Sequence, residues 1–214
     1  RRVLELGAGC GASGLSAAAR GARVTLTDKE TLLPLLHRNA ELNPTLDVTV
    51  TSLRWDDVEA SDFYSAEGSL FDIVLATDVV EVDPDRRNLE APFQALRRTL
   101  ECMLRVAPRA LCLIVFEERG PLTLSGLGTL FSSLADEGEL WEYELPDQLA
   151  ASLDGRKKKR ASSRAKQANR LRFLMLHRSG AGSLEGSAAA AWRSLLEKRE
   201  VTFRRWLPED FEEE

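Results

Sequence analysis

Three glycines at alternate positions near the start of the chain constrain its fold more than any other feature. The stretch "VLELGAGCGASGL" sets Gly7, Gly9 and Gly11 between an apolar run at residues 3–6 and an alanine-rich run that begins at Ala12. The first run is typical of a buried strand and the second of a helix. A strand that leads through such a loop directly into a helix brings backbone N–H groups to the carboxyl edge of a parallel sheet. We therefore expect a ligand site at that edge, where bare backbone lets the ligand approach closely.

Apolar runs bounded by glycine, proline or acidic residues recur along the rest of the chain. Strands are predicted over residues 3–6, 24–27, 48–53, 71–77 and 110–116, and helices over residues 12–20, 33–42, 89–106 and 123–135. This alternation is typical of a parallel sheet with helices on both faces. Two later runs, at residues 140–145 and 171–177, have no predicted helix between them and could pair as a final antiparallel hairpin.

The length of 214 residues and the hydrophobic content of 43% predict a single α/β domain with an ordinary core. The three cysteines form no C-x-x-C pair and the two histidines lie far apart, so we expect neither disulfides nor a metal site. No apolar run reaches the roughly 18 residues of a membrane span, and the first residues are expected to enter a strand rather than form a signal peptide. A protein without membrane contact is therefore expected in the cytoplasm, with the nucleus as a further location.

The net charge of −5 is unevenly distributed. Residues 155–172 hold nine basic side chains and no acid, whereas five of the last six residues are acidic. The basic run could bind nucleic acid or an acidic partner, serve as a nuclear address, or be a solvated loop. We predict a domain over residues 1–178 with a basic insertion at about 151–170, followed by a C-terminal extension over residues 179–214 that contains one helix.

Two acids bear on which ligand the glycine loop holds. The loop also satisfies the dinucleotide fingerprint G-x-G-x-x-G, so NAD is a possible ligand. Asp28 follows the second predicted strand, where a carboxylate can accept hydrogen bonds from ribose hydroxyls of either NAD or S-adenosylmethionine. Glu5 lies two residues before the first glycine, where it would oppose a pyrophosphate but favour the sulfonium and ammonium groups of S-adenosylmethionine. Together the two acids favour S-adenosylmethionine.

These residues carry a resemblance to a known family. "VLELGAGCGASGL" resembles motif I of the class I methyltransferases, and residues 2–177 resemble the family 16 protein-lysine methyltransferases. The supporting stretches are "VTLTD", "LLPLLHRNAELN" with Asn39 and Asn43, "LRW" with Trp55, "FDIVLATDVVE" with Asp78, and "IVFEER". The resemblance implies a Rossmann-like α/β fold with a seven-stranded, mostly parallel sheet whose last strand is antiparallel.

The resemblance also implies a cofactor site. The three glycines of the loop would line the methionine moiety of S-adenosylmethionine, Asp28 would bind its ribose, and Thr77 would border its sulfonium end. Trp55 would lie against the adenine, and an indole can cover such a face and exclude water. Asn39 and Asn43 lie one helical turn apart on one face, so one could cap neighbouring backbone while the other approaches the cofactor. A structural use is the favoured expectation for both.

The residues expected to hold the substrate differ from the family pattern. The family has a D-x-x-Y motif after the fourth strand to hold the substrate amine, and this chain has Asp78-Val79-Val80-Glu81. Asp78 matches the motif, and Glu81 could accept a hydrogen bond from an ammonium or take its proton. These two acids are the predicted catalytic residues.

The function predicted from the sequence is S-adenosylmethionine-dependent methylation of a protein, with a lysine amine as the acceptor. One alternative is a non-catalytic interaction protein that keeps the cofactor site, which the glutamate in place of tyrosine favours. A second is an NAD(P)-dependent oxidoreductase, against which the position of Glu5 counts.

Overall fold

The computed structural model describes residues 1–55, 71–79, 90–117, 130, 134, 139–143, 171–177 and 203–206. The strands are β1 (Arg2–Leu6), β2 (Arg23–Asp28), β3 (Val48–Ser52), β4 (Ile73–Thr77), β5 (Leu111–Glu117), β6 (Glu139–Tyr143), β7 (Leu171–His177) and β8 (Phe203–Trp206). The helices are α1 (Ala12–Ala18), α2 (Leu33–Glu41) and α3 (Glu90–Val106), with a 3₁₀ turn at Glu30–Leu32 before α2.

All these strands form one sheet in the order β3-β2-β1-β4-β5-β7-β6-β8. Strands β1 to β5 pair in parallel, while β7 runs antiparallel to both β5 and β6. This confirms the mostly parallel sheet and the antiparallel pairing of the two late runs. The seven expected strands are present, and β8 adds an eighth, antiparallel to β6, that the sequence did not predict as a strand.

The strand order reverses at β1, because β2 and β3 lie on one side of it and β4 and β5 on the other. In open α/β sheets the crevice outside the carboxyl ends of the strands at such a switch point is where ligands bind. The glycine loop follows β1 and lies at this crevice.

Helices cover both faces of the sheet, as predicted. Alternate strand residues face opposite sides. On one face Val3 and Leu26 pack with Leu36 of α2, and on the other Leu4 and Val74 join the core that contains the buried residues of α3. These α3 residues are Phe93, Leu96, Leu100, Met103 and Leu104.

The helix bounds agree with the predicted ones to within two residues, and the reasons are local. Helix α1 ends at Ala18, and the chain then turns through Gly21, which has a φ of 85°. Pro34 lies in the first turn of α2, where the N–H that proline lacks would have had no partner. Pro108 follows the end of α3.

Several predictions fall wholly or largely outside the described residues. They are the basic run, the helix of the C-terminal extension, Glu81, and the helix at 123–135 apart from Leu130 and Leu134, which are helical and buried. In the described part of the chain, no helix combines the length and the apolar character that a membrane crossing requires.

Candidate functional site

The loop between β1 and α1 is built on left-handed backbone. Gly7, Gly9 and Gly11 have φ values of 60°, 57° and 80°. Residues that have a Cβ rarely adopt this left-handed conformation. A Cβ on Gly9 would meet no atom within 4 Å, so one side of the loop is open. The Gly11 N–H donates to the carbonyl of Ala8 at 2.7 Å, which closes the turn before the helix starts. The loop therefore offers accessible backbone to a ligand at Gly9.

Asp28 holds this loop from the end of β2. Its side chain is 7% exposed; Oδ2 accepts the Gly9 N–H at 2.8 Å and Oδ1 accepts the Lys29 N–H at 2.8 Å. An ionised carboxylate has about four acceptor sites, so about two remain for ribose hydroxyls. Asp28 thus fits the predicted ribose site, and it has a second role in positioning the loop that the sequence did not indicate.

Glu5 lies beneath the loop, with 0% of its surface exposed. Its Oε2 accepts the Gly14 N–H at 2.9 Å, and its Oε1 accepts the Thr77 hydroxyl at 3.3 Å. Burial raises the pKa of Glu5 to about 6, although hydrogen bonds from Gly14, Thr77 and Ser13 oppose the rise and the charge of Asp28 adds to it. The carboxylate is therefore largely ionised at neutral pH, and it contributes a negative potential from behind the loop.

Gly14 has a packing role beneath the loop, and in the sequence it is the last glycine of the dinucleotide fingerprint. A Cβ there would lie 2.3 Å from Cδ2 of Leu26 and 2.6 Å from Oε2 of Glu5. The absence of a side chain lets α1 approach the sheet and lets the Gly14 N–H reach Glu5. The spacing of the last glycine of G-x-G-x-x-G was the signal that could have indicated this packing role.

Two hydroxyl groups connect α1 to the end of β4. Ser13 Oγ lies 3.1 Å from Thr77 Oγ1, and both side chains are half-buried. The structure thus brings Thr77 together with Glu5 at the loop, as the predicted site requires. Ser13 was not among the predicted site residues, because a serine in the first helical turn is common in any helix.

Asp78 directly follows Thr77 and is an exposed residue. Its φ of 54° makes it the non-glycine residue with positive φ among those described, and its N–H donates to the carbonyl of Val115 at 2.6 Å. Such backbone strain is concentrated at functional sites. The chain thus leaves the sheet sharply at the carboxyl edge. The role of Asp78 toward a substrate stays a prediction, as does that of Glu81, which lies outside the described residues.

Trp55 packs against the loop. Its Cζ2 lies 3.2 Å from the place that a Cβ on Gly7 would occupy, and the side chain is half-buried. The N–H of Leu53 donates to the carbonyl of Asp28 at 2.9 Å, which ties the Trp55 turn to the end of β2. The structure brings Trp55 to the predicted site, and its contact with adenine stays a prediction.

Helix α2 is attached to the loop by a side chain. Asn39 Nδ2 donates to the carbonyl of Cys10 at 2.8 Å, and Asn43 Nδ2 donates to the carbonyl of Asn39 at 2.8 Å. The expected structural use is confirmed for both. Within the ranges given above, no group of three or more His, Cys, Asp or Glu side chains could hold a metal ion.

Comparison with known proteins identifies the family. A family model described as lysine methyltransferase matches residues 1–122, which is more than half of the chain. The chain belongs to this family. Membership implies the class I methyltransferase fold and S-adenosylmethionine as the cofactor. The open side of Gly9 and the remaining acceptor sites of Asp28 fit that cofactor.

Two curated proteins with sequences similar to this chain are named as protein-lysine methyltransferases. A zebrafish protein, protein N-lysine methyltransferase METTL21A, is 40% identical over 105 residues, which are 47% of this chain and 43% of the relative. The yeast protein-lysine N-methyltransferase EFM6 is 32% identical over 131 residues, which are 56% of this chain and 50% of the relative. The chain spans about half the length of these relatives.

A solved structure agrees in fold. A Clostridium thermocellum protein described as a candidate rRNA methylase superposes with a TM-score of 0.55 at 9% identity, and the match covers 83% of this chain and 88% of that one. At this identity the similarity supports the Rossmann-like methyltransferase fold and nothing finer.

Proposed function

We propose that this chain binds S-adenosylmethionine at the carboxyl edge of β1, β2 and β4 and transfers its methyl group to a lysine side chain of a protein. The observation that carries the proposal is the buried carboxylate of Glu5 beneath an open glycine loop. A negative charge there favours a cationic cofactor over one that places a pyrophosphate at the loop. The names of the two curated relatives support a protein lysine as the acceptor.

The cofactor would be held by residues that already form one connected site. The ribose hydroxyls would donate to Asp28, the methionine moiety would lie along the loop at Gly9, and Trp55 would cover the adenine. Bound S-adenosylmethionine supplies a methyl group activated by the sulfonium charge. The protein chiefly aligns the amine with that methyl group, and alignment of this kind contributes about 7–11 kcal/mol in favourable cases.

The substrate amine must lose its proton before transfer, because a lysine pKa near ~10.4 keeps it charged in water. A water-excluding channel beside a cation disfavours the ammonium form. In this proposal Asp78 accepts a hydrogen bond from the amine at the end of β4. Glu81 takes the place of the family's tyrosine and accepts the proton.

Calorimetric titration tests the cofactor assignment. We expect the chain to bind S-adenosylhomocysteine, and Asp28→Ala to weaken binding by about 10- to 150-fold, because a charged hydrogen-bond acceptor is lost. Asp47→Ala is the matched control, since Asp47 is an exposed aspartate paired with Arg23 at the surface. Binding of NAD without any binding of S-adenosylhomocysteine would contradict the proposal in favour of an oxidoreductase.

A second measurement separates the enzyme from a non-catalytic interaction protein. Transfer of a labelled methyl group to lysines of cell-extract proteins is expected, with a large loss in Glu81→Gln. Intact cofactor binding without any transfer would support the non-catalytic alternative, which the replacement of the family's tyrosine by Glu81 favours.

Two expectations from the sequence remain proposals. The basic run at 155–172 would contact nucleic acid or an acidic partner, and binding that weakens steeply with salt would support this. The protein would act in the cytoplasm and also in the nucleus, which fluorescence microscopy of the tagged chain would test.

A further inference from the structure

A short chain of hydrogen bonds runs from the interior of the sheet to the first turn of α1. It starts at Glu5 Oε1, passes through Thr77 Oγ1 at 3.3 Å and reaches Ser13 Oγ after a further 3.1 Å. The carboxyl end is fully buried, whereas both hydroxyl groups belong to half-buried residues at the ligand edge.

The direction of these hydrogen bonds follows from the number of protons. A hydroxyl carries one proton, and an ionised carboxylate only accepts. Thr77 therefore donates to Glu5 and has no proton left for Ser13, so the Ser13 proton is directed to Thr77 or to the Glu5 carboxylate, inward in either case. With its proton directed inward, Ser13 Oγ presents acceptor lone pairs outward.

Ser13 lies in the first turn of α1 beside the end of β4, and a methionine moiety bound at the loop would extend toward this point. Strand β1 separates β2 from β4, so the ends of β2 and β4 lie roughly 10 Å apart across two strand spacings. A cofactor whose ribose is held by Asp28 at the end of β2 would extend its amino-acid chain over β1 toward Thr77 and Ser13.

We propose that Ser13 is a cofactor-binding residue whose Oγ accepts a hydrogen bond from the ammonium of the methionine moiety, and that Glu5, acting through Thr77, is the positioning residue that directs this bond. The inference rests on the proposed function, because it requires a cofactor with that ammonium. It adds Ser13 as a contact residue, and it gives Glu5 an indirect role through Thr77.

Protonation of Glu5 reverses the chain of hydrogen bonds. A neutral carboxyl group donates its proton to Thr77, Thr77 then donates to Ser13, and Ser13 turns its own proton toward the ammonium, which cannot accept it. Since burial raises the pKa of Glu5 to about 6, this reversal falls in a range that experiments can reach.

The described elements around Glu5 add few other titrating groups. Helix α1 and strand β4 contain no titratable side chain, and β2 contributes Asp28. His37 is an exposed residue of α2, and a variant of Glu5 that keeps His37 is the control for any contribution from it.

The test compares two ligands by calorimetry between about pH 5 and 7.5. S-adenosylhomocysteine carries the ammonium, and methylthioadenosine lacks the whole amino-acid part. For the wild-type chain we expect S-adenosylhomocysteine to bind about three- to tenfold more weakly at the acidic end, and methylthioadenosine to bind equally at both. Titration in two buffers of different ionisation enthalpy should also show proton release on binding near about pH 6.

Three variants test which residues cause the pH dependence of S-adenosylhomocysteine binding. Glu5→Gln should bind S-adenosylhomocysteine weakly at both ends of the range and release no proton, because its amide donates to Thr77 permanently. Ser13→Ala should lose affinity for S-adenosylhomocysteine together with the pH dependence, and should keep its affinity for methylthioadenosine. Ser16→Ala, on the same helix with its hydroxyl bonded to the Ala12 carbonyl, should match the wild type.

Unchanged affinity and pH dependence in Ser13→Ala would overturn the inference. Equal losses for both ligands would also overturn it, because they would show a general disturbance of the loop. Failure of the wild-type chain to bind either ligand would instead overturn the proposed function itself, so the two failures are distinguishable.

Discussion

Glu5 is a carboxyl group that the fold keeps among apolar side chains. It is level with Leu26 of β2 and Leu75 of β4 in the sheet register, and it is fully buried. Such burial disfavours the charged form, which the pKa of about 6 reflects. Glu5 thus lowers stability at neutral pH, although it bonds to Gly14 of α1 and to Thr77 at the end of β4. A residue that costs stability in this way is typical of a functional site.

Replacing this residue should therefore stabilise the fold at high pH. The folded-state pKa of about 6 exceeds the ordinary 4.5, so the folded chain binds more protons between these values and stability falls as pH rises through them. We expect Glu5→Gln to raise the free energy of unfolding by about 2 kcal/mol at about pH 8 and to change it little near about pH 4. Urea denaturation at both pH values measures this.

Glu41→Gln is the control for that experiment, since Glu41 is an exposed glutamate at the end of α2. It should change stability by less than about 0.5 kcal/mol at either pH. A Glu5→Gln chain that is less stable than the wild type at the alkaline end would contradict the prediction. It would mean that the charged hydrogen bonds outweigh the cost of burial.

At the scale of elements, the loop is held in place by its neighbours. Asp28 at the end of β2 binds the Gly9 N–H, and Asn39 of α2 binds the Cys10 carbonyl. The loop is thus held through its N–H groups by β2 and through a carbonyl by α2, two elements that follow it in the chain. Its shape is set before any ligand arrives, which lowers the ordering cost of binding.

Asn39 and Asn43 provide a matched pair of variants. Asn39→Ala should weaken binding of S-adenosylhomocysteine by about 2- to 12-fold, because one hydrogen bond that positions the loop is lost. Asn43→Ala should leave affinity unchanged, because its side chain bonds only within the same segment, to the Asn39 carbonyl. Calorimetry measures both, and equal losses in the two variants would show that α2 stability rather than the contact with Cys10 matters.

At the scale of the whole molecule, the chain beyond residue 178 is joined to the sheet. Strand β8 pairs with β6 over four residue pairs and lies at the edge of the sheet. Without it, β6 would present unpaired backbone, which is a template for aggregation. The C-terminal segment is thereby connected to a sheet whose opposite half forms the candidate site.

A chain that ends at residue 178 should accordingly melt at a lower temperature than one that ends at residue 208 and keeps β8. The fall is expected to be about 2–4 °C for each kcal/mol lost, and the shorter chain should aggregate more readily. Scanning calorimetry and light scattering compare the two, and both lack the acidic residues at the end of the chain. Equal melting temperatures would mean that β8 adds no stability.

The sequence alone predicted most of the fold because the signals are local. Apolar runs marked the strands β1 to β7, and glycine and proline marked where helices begin and end, as at Gly21 and Pro34. It also placed the glycine loop and Asp28 at strand ends, and parallel strands bring such ends to one edge of the sheet. Strand β8 gave too weak a signal, since its two middle residues are both arginine and show no alternation.

Only the tertiary structure decided which groups meet. The contacts of Glu5 with Thr77, of Asn39 with Cys10 and of Asp28 with the loop join residues that are 72, 29 and 19 positions apart. Hydrogen-bond partners of this kind depend on strand order and on how closely helices pack, which no local pattern encodes. The sequence by itself therefore determined the order of the elements along the chain and the edge of the sheet that holds the site. The hydrogen-bond network beneath the loop followed from the way distant segments pack.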